Sequence, residues 1–405
     1  MSDKAKKADA GCVDRTILDK VGDEAAFREA VRAWLADAMA RRHELDADGA
    51  ASFYDSQQWW MAERNKIGLG TPHWPKAYGG DDLSLKYQVI VAEEGAKARA
   101  PALNIFIVSL NHVPHTLMAW GSEEQKTRYL PGVANGVVWC QGFSEPNAGS
   151  DLASLRTRAE RRGDHYVING QKIWSSFSMY ADYCILLART DTEAPKHRGI
   201  SYFLMDMKAP GVEVRPIRQP NGEAEFAELF LTDVKIPVED LVGEENQGWA
   251  IAQSTLAAER GVLAFENGER LRYIMEDFYA SAVAREAKWL REPHLHREYV
   301  RLFGEMQACR RMLRRLLREN ETGSPAAAST VVHVKVINTT LWRKVSDFML
   351  KTQGLSGRFF HEPALGLARD PIDYYITSFG GTIAGGSNEI MRNIISERVL
   401  GMPRA

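Results

Sequence analysis

Gln141-Gly142-Phe143-Ser144-Glu145-Pro146-Asn147-Ala148-Gly149-Ser150-Asp151 opens the stretch that decides the fold, and the stretch continues through Tyr166-Val167-Ile168-Asn169-Gly170 to Lys172-Ile173-Trp174-Ser175-Ser176-Phe177-Ser178. Its first half is a turn rich in backbone N–H groups and small hydroxyls, a composition that receives anions. Tyr166 to Ile168 reads as a strand and Asn169-Gly170 as a turn. Trp174 then offers an aromatic face beside two adjacent serine donors. Each piece alone is ordinary loop and hairpin chemistry. The ordered set fits a flat ring that has an apolar end and a hydrogen-bonding edge.

Outward from this stretch the hydrophobic period changes on both sides. From Glu24 to Asn135 the spacing is helical: Phe27, Val31, Trp34, Leu35 and Met39 recur at three and four residues and end in Arg41-Arg42-His43. Trp74-Pro75-Lys76-Ala77-Tyr78-Gly79-Gly80 breaks that pattern. Helices resume at Ser84 and around Pro101 to Trp120, and Ser122 with Gln125 forms an expected capping box for the next one. After Val137 the period falls to two, and His165–Ile168, Tyr183–Ala188, Ile200–Met205, Val212–Ile217 and Phe226–Leu231 read as strands. Near Gly248 the helical period returns and is interrupted only near Pro293 and Ser324-Pro325. There is no internal repeat.

Bulk composition narrows the function. A chain of 405 residues can bury a large interior in two or three layers or domains. With 51 basic and 53 acidic residues and a formal charge of −2, it has no net field to draw nucleic acid or an anionic membrane. Cys12, Cys140, Cys184 and Cys309 are scattered with no CxxC, which indicates neither a disulfide framework nor a thiolate metal site and fits a reducing cytosol. His112 with His115 and His294 with His296 lack carboxylate or cysteine company at ligand spacing, so no metal is expected. The arginines Arg310, Arg311, Arg314, Arg315 and Arg318 form a helical stripe read as a solvated or subunit-facing surface. Met1 to Asp14 has no apolar core and reads as a frayed terminus rather than a signal peptide or anchor. No apolar run has transmembrane length, and a cytoplasmic protein is expected.

The order and spacing of the Gln141–Ser178 motifs resemble the flavin-holding segment of the acyl-CoA dehydrogenase family, and the helix, β, helix order is similar to that family along nearly the whole chain. The resemblance implies an α+β fold: a leader over 1–22, an N-terminal α-helical domain over 23–136, a middle β-barrel domain over 137–245 and a C-terminal four-helix bundle domain over 246–405. It implies FAD as cofactor. Phe143 and Ser144 match positions at the flavin pyrimidine edge, Gly149 and Ser150 line the anion turn, Trp174 covers the ring, and Ser176 stands where a threonine usually faces N5. Gln141, Ser387 and Glu389 are further implied cofactor contacts, and Ser150, Arg260 and Gly385 are implied substrate contacts.

The family's base is a carboxylate, from a late loop resembling Tyr-Glu-Gly-Thr-x-Glu or from an earlier helix resembling Leu-x-x-Glu-Arg. Here the late loop reads Ala384-Gly385-Gly386-Ser387-Asn388-Glu389, with Gly385 at the base position. The earlier pattern is present as Leu256-Ala257-Ala258-Glu259-Arg260, which makes Glu259 the expected base, as in the long-chain and isovaleryl branches. Ala252, Leu256, Glu259 and Leu263 share one helix face, so its carboxylate is expected to be desolvated and raised toward the range useful for proton abstraction.

The family's FAD clamps depart. The motif Arg-x-x-Phe-Gly aligns with Ala287 at the arginine and Leu290-Arg291 at Phe-Gly, while Gln-x-x-Gly-Gly-x-Gly aligns with Lys351 at the glutamine and Leu355 at the second glycine. An intact ring site with an eroded tail clamp is expected of one subunit in a heterotetramer with a related chain; a homo-oligomer using substitute cations is the competing expectation. The activity implied is oxidation of an acyl-CoA thioester to its 2,3-enoyl product, with an electron-transfer flavoprotein as acceptor. A flavin-dependent oxidase or monooxygenase on this scaffold, and a partner subunit that serves assembly, are the alternatives.

Overall fold

The helical spacing that begins at Phe27 folds as α1 (Glu24–Ala47), with Phe27, Val31 and Leu35 buried on one stripe. The computed structural model describes residues 13–47, 52–258, 262–354 and 371–403. Within the stretch expected as a loose leader, Ile17 and Leu18 pack into the core beneath α1, and the Gly22 N–H donates to the Tyr87 hydroxyl at 2.6 Å. Helix α2 (Phe53–Lys66) starts on a capping box between Ser52 and Asp55; α3 (Leu85–Lys97) follows the Trp74–Gly80 turn. Gly79 sits there at φ 85°, and a side chain at Gly80 would collide with the Trp74 carbonyl. Helices α4 (Val113–Trp120) and α5 (Glu123–Ala134) complete the N-terminal layer. The expected Ser122–Gln125 capping box is formed, and Gln125 Nε2 also donates to the carbonyls of Glu239 and Leu241 at 2.7 and 2.8 Å. One side chain therefore caps the helix and ties it to the sheet.

The middle of the chain forms β1 (Trp139–Gly142), β2 (Arg158–Arg162), β3 (His165–Ser176), β4 (Tyr183–Arg189), β5 (Ile200–Asp206), β6 (Val212–Ile217), β7 (Phe226–Pro237) and β8 (Leu241–Val242). They make one eight-stranded sheet in the order β6-β7-β3-β2-β4-β5-β8, with β1 paired in parallel to β4. Alternation along β4 explains its two buried faces. Cys184, Leu186 and Ala188 join Ala159, Ile168, Phe203, Met205, Leu229 and Ile236 in a core that the sheet wraps, while Ile185 and Leu187 pack outward against Val113, Leu117, Leu130 and Val133.

The turn expected at Asn169-Gly170 is not formed. Strand β3 runs through it for 12 residues, and its pairing with β7 shifts register between Ile168 and Gly170. The residue pair makes a bulge, and glycine suits it because a side chain at Gly170 would approach the Thr157 Cα to 2.7 Å.

Helix α6 (Gly248–Ala258) packs Ile251 and Ala252 against the outer face of the sheet. The remaining helices are α7 (Val262–Ala284), α8 (Pro293–Glu321), α9 (Ala326–Thr352), α10 (Pro371–Ile383) and α11 (Asn388–Ile394). Leu271, Met275 and Phe278 of α7, Leu302 and Met306 of α8, and Leu341, Val345 and Phe348 of α9 share one core with Tyr374 of α10 against it, which is the bundle expected. Packing divides the chain into two compact units: Met1–Glu94, Ala98–Arg218 and Ala224–Glu259 form one, and Gly95–Lys97, Gln219–Glu223 and Arg260–Ala405 form the other. Arg310 of the expected surface stripe is instead mostly buried in an ion pair with Glu269 between α8 and α7. Among the described residues no helix is long and apolar enough to cross a membrane.

Candidate active site

Strand alternation places Trp139, Gln141 and Phe143 on the outer, helix-facing side of β1, with Cys140 and Gly142 toward the sheet's inner core. Immediately after β1 the chain turns, and Glu145 and Ala148 exchange backbone hydrogen bonds at 3.1 and 3.0 Å. Gly149 and Ser150 lie exposed beyond that turn. The end of β3 comes alongside: the Ile173 N–H donates to the Ser144 carbonyl at 3.0 Å. The strand ends that carry Gln141, Phe143 and Ser144 on one side and Trp174 and Ser176 on the other thereby lie side by side. The Phe143 ring meets Tyr202 edge-on at 5.7 Å and is held in the core.

Trp174 has φ 62° and remains 56% exposed, at a register shift between Lys172 and Ser175 in the β3–β7 ladder. Phe177, three residues on, has φ 52°. Two aromatic residues in the left-handed region on either side of Ser175-Ser176 store backbone strain, a feature that clusters at ligand clamps. The sequence motif marked this segment; its strain was not legible there.

Lys172 and Glu145 carry no role in the sequence reading, yet they underlie this wall. Lys172 is fully buried and donates from Nζ to Glu145 Oε1 at 2.9 Å and to the Phe143 carbonyl at 3.1 Å. Glu145 also accepts from the Arg156 and Thr157 N–H groups at 2.6 and 2.8 Å. Burial pushes the Lys172 ammonium below its usual range, against the pull of Glu145. Burial works to raise Glu145, but Lys172 and the hydrogen bonds of Thr157 and Arg156 hold it below the usual carboxylate range. The sequence carried little signal for this pair, since Lys172 follows Gln171 on a strand and Glu145 lies in a polar turn.

Three family models match in succession: the acyl-CoA dehydrogenase N-terminal domain over residues 22–137, the middle domain over 140–234 and the C-terminal domain over 246–400. The chain belongs to the acyl-CoA dehydrogenase family. It is accordingly an enzyme of that type, an oxidoreductase on a flavoprotein scaffold. It is 35% identical to acyl-CoA dehydrogenase IpdE1 of Mycolicibacterium smegmatis, over 93% of this chain and 97% of that protein. The solved Tcur3481-Tcur3483 steroid ACAD superposes with a TM-score of 0.82 at 32% identity, covering 95% of this chain and 98% of that one. The ChsE4-ChsE5 complex from Mycobacterium tuberculosis superposes with a TM-score of 0.76 at 28% identity, covering 94% and 98%.

A flavin ring fits the wall assembled here. Gln141 Nε2 is buried and has no hydrogen-bond partner among the described residues, so a donor stands ready for an acceptor on a ring edge. Ser144 and Ser176 are half-buried hydroxyl bearers on the same two strand ends, and Trp174 supplies an exposed aromatic face.

The remaining family positions divide. Glu259 and Arg260 lie outside the described residues. In the second unit Gly385 and Gly386 take φ 64° and 88°, and Lys335 of α9 donates to the Gly386 carbonyl at 2.7 Å. Ser387 caps α11, its hydroxyl accepting from the Ile390 N–H at 3.3 Å, and Glu389 is exposed and ion-paired with Arg392 at 3.1 Å. At the departed clamp positions, Arg291 pairs with Glu286 at 3.3 Å and Lys351 with Glu298 at 3.0 Å. Leu355 lies outside the described residues.

Proposed function

We propose that the chain dehydrogenates an acyl-CoA thioester between Cα and Cβ, with FAD as cofactor, to give the 2,3-enoyl-CoA. The observation that carries this reading is the wall of Gln141, Phe143, Ser144, Trp174 and Ser176, with one buried amide donor unpartnered and an aromatic face exposed. FAD, when bound, supplies the hydride acceptor for the β-hydrogen. The chain's own part is to hold the ring edge through Gln141, the Phe143 and Ser144 backbone and the Ser144 and Ser176 hydroxyls, and to cover the ring with Trp174. Glu259 takes the α-proton as general base. Arg260 and Ser150 contact the substrate, Gly149 lines the anion turn, and Ser387 and Glu389 serve the cofactor.

Gly385 leaves the late loop without a side chain, which supports a bulky acyl group, and the likeness to a steroid ACAD supports one of steroid type. The lost arginine and glutamine, with Arg291 and Lys351 engaged in ion pairs within the chain, support a heterotetramer in which a related chain completes the FAD site. Two solved relatives with paired names, Tcur3481-Tcur3483 and ChsE4-ChsE5, support the same assembly. The modules are 23–136, 137–245 and 246–405, the acceptor is an electron-transfer flavoprotein, and the setting is cytoplasmic.

Flavin content and native mass decide the assembly, measured for this chain alone and with a related partner chain. FAD gained only with the partner is expected; stoichiometric FAD in a homo-oligomer would remove the composite site. Glu259→Gln is expected to keep flavin and lose turnover by at least about a hundredfold. A variant that turns over normally would sink the assignment of the base.

A further inference from the structure

Lys172 and Glu145 form a buried ion pair directly behind the ring-facing wall, 0% and 9% exposed. The lysine stem runs through the sheet's inner core past Gly142, where an added Cβ would come within 3.6 Å of Lys172 Cγ and 2.9 Å of Cys184 Sγ. Its head emerges under the turn and binds two points of it, the Phe143 carbonyl and the Glu145 carboxylate. That carboxylate in turn takes the Arg156 and Thr157 N–H groups, and Arg189 secures the same segment through the carbonyls of Leu155 and Ala153 at 3.1 and 2.7 Å. Residues 143–145 and 153–157 are thus bound from beneath.

A buried ion pair is a poor source of net stability, since well-packed apolar groups of similar volume do as well or better. It does define geometry, because both partners must meet in one arrangement or leave a charge unpaired. Here the geometry it defines is that of the Phe143 carbonyl and the Ser144 backbone, which stand at the ring edge on the functional reading above.

We propose that the Lys172–Glu145 pair is a positioning device that sets the affinity of this wall for the isoalloxazine ring of a flavin; the inference rests on the FAD reading. Neither residue touches the ring. Each acts through the turn it holds.

Three variants separate positioning from stability: Lys172→Met, Glu145→Gln and the double K172M/E145Q. The single Lys172→Met leaves a buried carboxylate without its cation and is expected to lower Tm and flavin affinity together. The double variant removes both charges and keeps one of the two acceptor oxygens that serve the Arg156 and Thr157 amides, so part of the Tm should return. Its dissociation constant for FAD, measured by fluorescence titration in the assembly where wild type holds flavin, should remain about tenfold weaker, equivalent to about 1.4 kcal/mol. The visible absorption of its bound flavin should also change, which a purely structural loss elsewhere would not cause. A double variant with wild-type affinity and spectrum overturns the inference alone, as does an affinity that simply tracks Tm across the three variants. Wild-type protein that takes up no flavin, alone or with a related chain, overturns the functional reading and this inference with it.

Discussion

The hydroxyls of Thr116 and Thr255 lie 2.7 Å apart with both side chains fully buried, joining α4 to α6. Thr255 also donates to the Ile251 carbonyl at 2.9 Å, so the pair is directional: Thr116 is the donor to an oxygen whose own proton is spent within α6. Beside it His115 Nε2 meets Ser254 Oγ at 3.1 Å, and burial followed by the neighbouring His112 holds His115 below its ordinary pKa. His115 is thus placed in a polar seam against the helix that precedes Glu259 in sequence.

Replacing Thr255 with valine keeps the shape and strands the Thr116 hydroxyl, at a cost of about 1–3 kcal/mol in unfolding free energy. The double variant T116V/T255V should recover part of that loss, because neither threonine hydroxyl is then left unpaired, while the buried Tyr202 hydroxyl beside them loses both neighbours. Urea unfolding of the two variants checks this. A double variant that loses the sum of two single penalties would show that the hydroxyls do not act as a pair.

Trp174 departs from the backbone rule for large side chains, and asparagine is one of the few residues that tolerate its φ of 62°. Trp174→Asn gives up an edge contact to Phe226 at 6.0 Å and relieves strain, two effects of about 1 kcal/mol each and opposite sign. Stability should therefore stay within about 1 kcal/mol of wild type. On the proposed function flavin binding should weaken, because the exposed aromatic face is lost. Thermal unfolding with flavin titration separates the two; a large Tm loss at unchanged affinity would make Trp174 a packing residue.

The sequence exposes elements whose side chains separate cleanly between core and solvent. Phe27, Val31 and Leu35 do so on α1, and the capping chemistry of Ser122 and Gln125 is local enough to be read directly. Strand β2 is hidden because its five residues include four charged ones and only Ala159 turns inward, and β8 has two residues. Lys172 is hidden for a related reason: on a strand it reads as the outward polar member, whereas a bulge on each side of it turns it into the core. The residues proposed for the ring site form an ordered motif in the sequence, but the strain at Trp174 and the buried Lys172–Glu145 pair depend on register with β7.

The Asn169-Gly170 bulge gives its own test. Gly170→Ala puts a methyl group 2.7 Å from the Thr157 Cα and is expected to destabilise by about 1–3 kcal/mol. The same change at Gly163, exposed in the β2–β3 turn with nothing within 4 Å, meets no neighbouring atom but must adopt φ 65°, so its penalty is backbone strain of about 1 kcal/mol. Chemical denaturation of the two alanine variants should rank Gly170 as the costlier; the reverse order would place the close approach to Thr157 in error.

Glu94 of α3 closes the N-terminal layer against α1, accepting from Arg28 at 2.6 Å and from Arg32 at 2.8 and 3.2 Å, with its carboxylate 4% exposed. Burial alone would raise its pKa, but the two guanidinium groups hold it below the usual carboxylate value. Its folded pKa is depressed, so the stability it contributes is complete above the unfolded value of about 4.3 and is lost as pH falls through the folded value. Glu94→Gln should cost about 2–3 kcal/mol at neutral pH, somewhat under a fully buried pair because both arginines are partly exposed. It should also flatten the acid limb, since one carboxylate fewer has to be protonated. Urea midpoints for wild type and variant at neutral pH and below about pH 4 should therefore converge as acid is added. Curves that stay parallel across that range would mean that Glu94 is held by packing and not by its two cations.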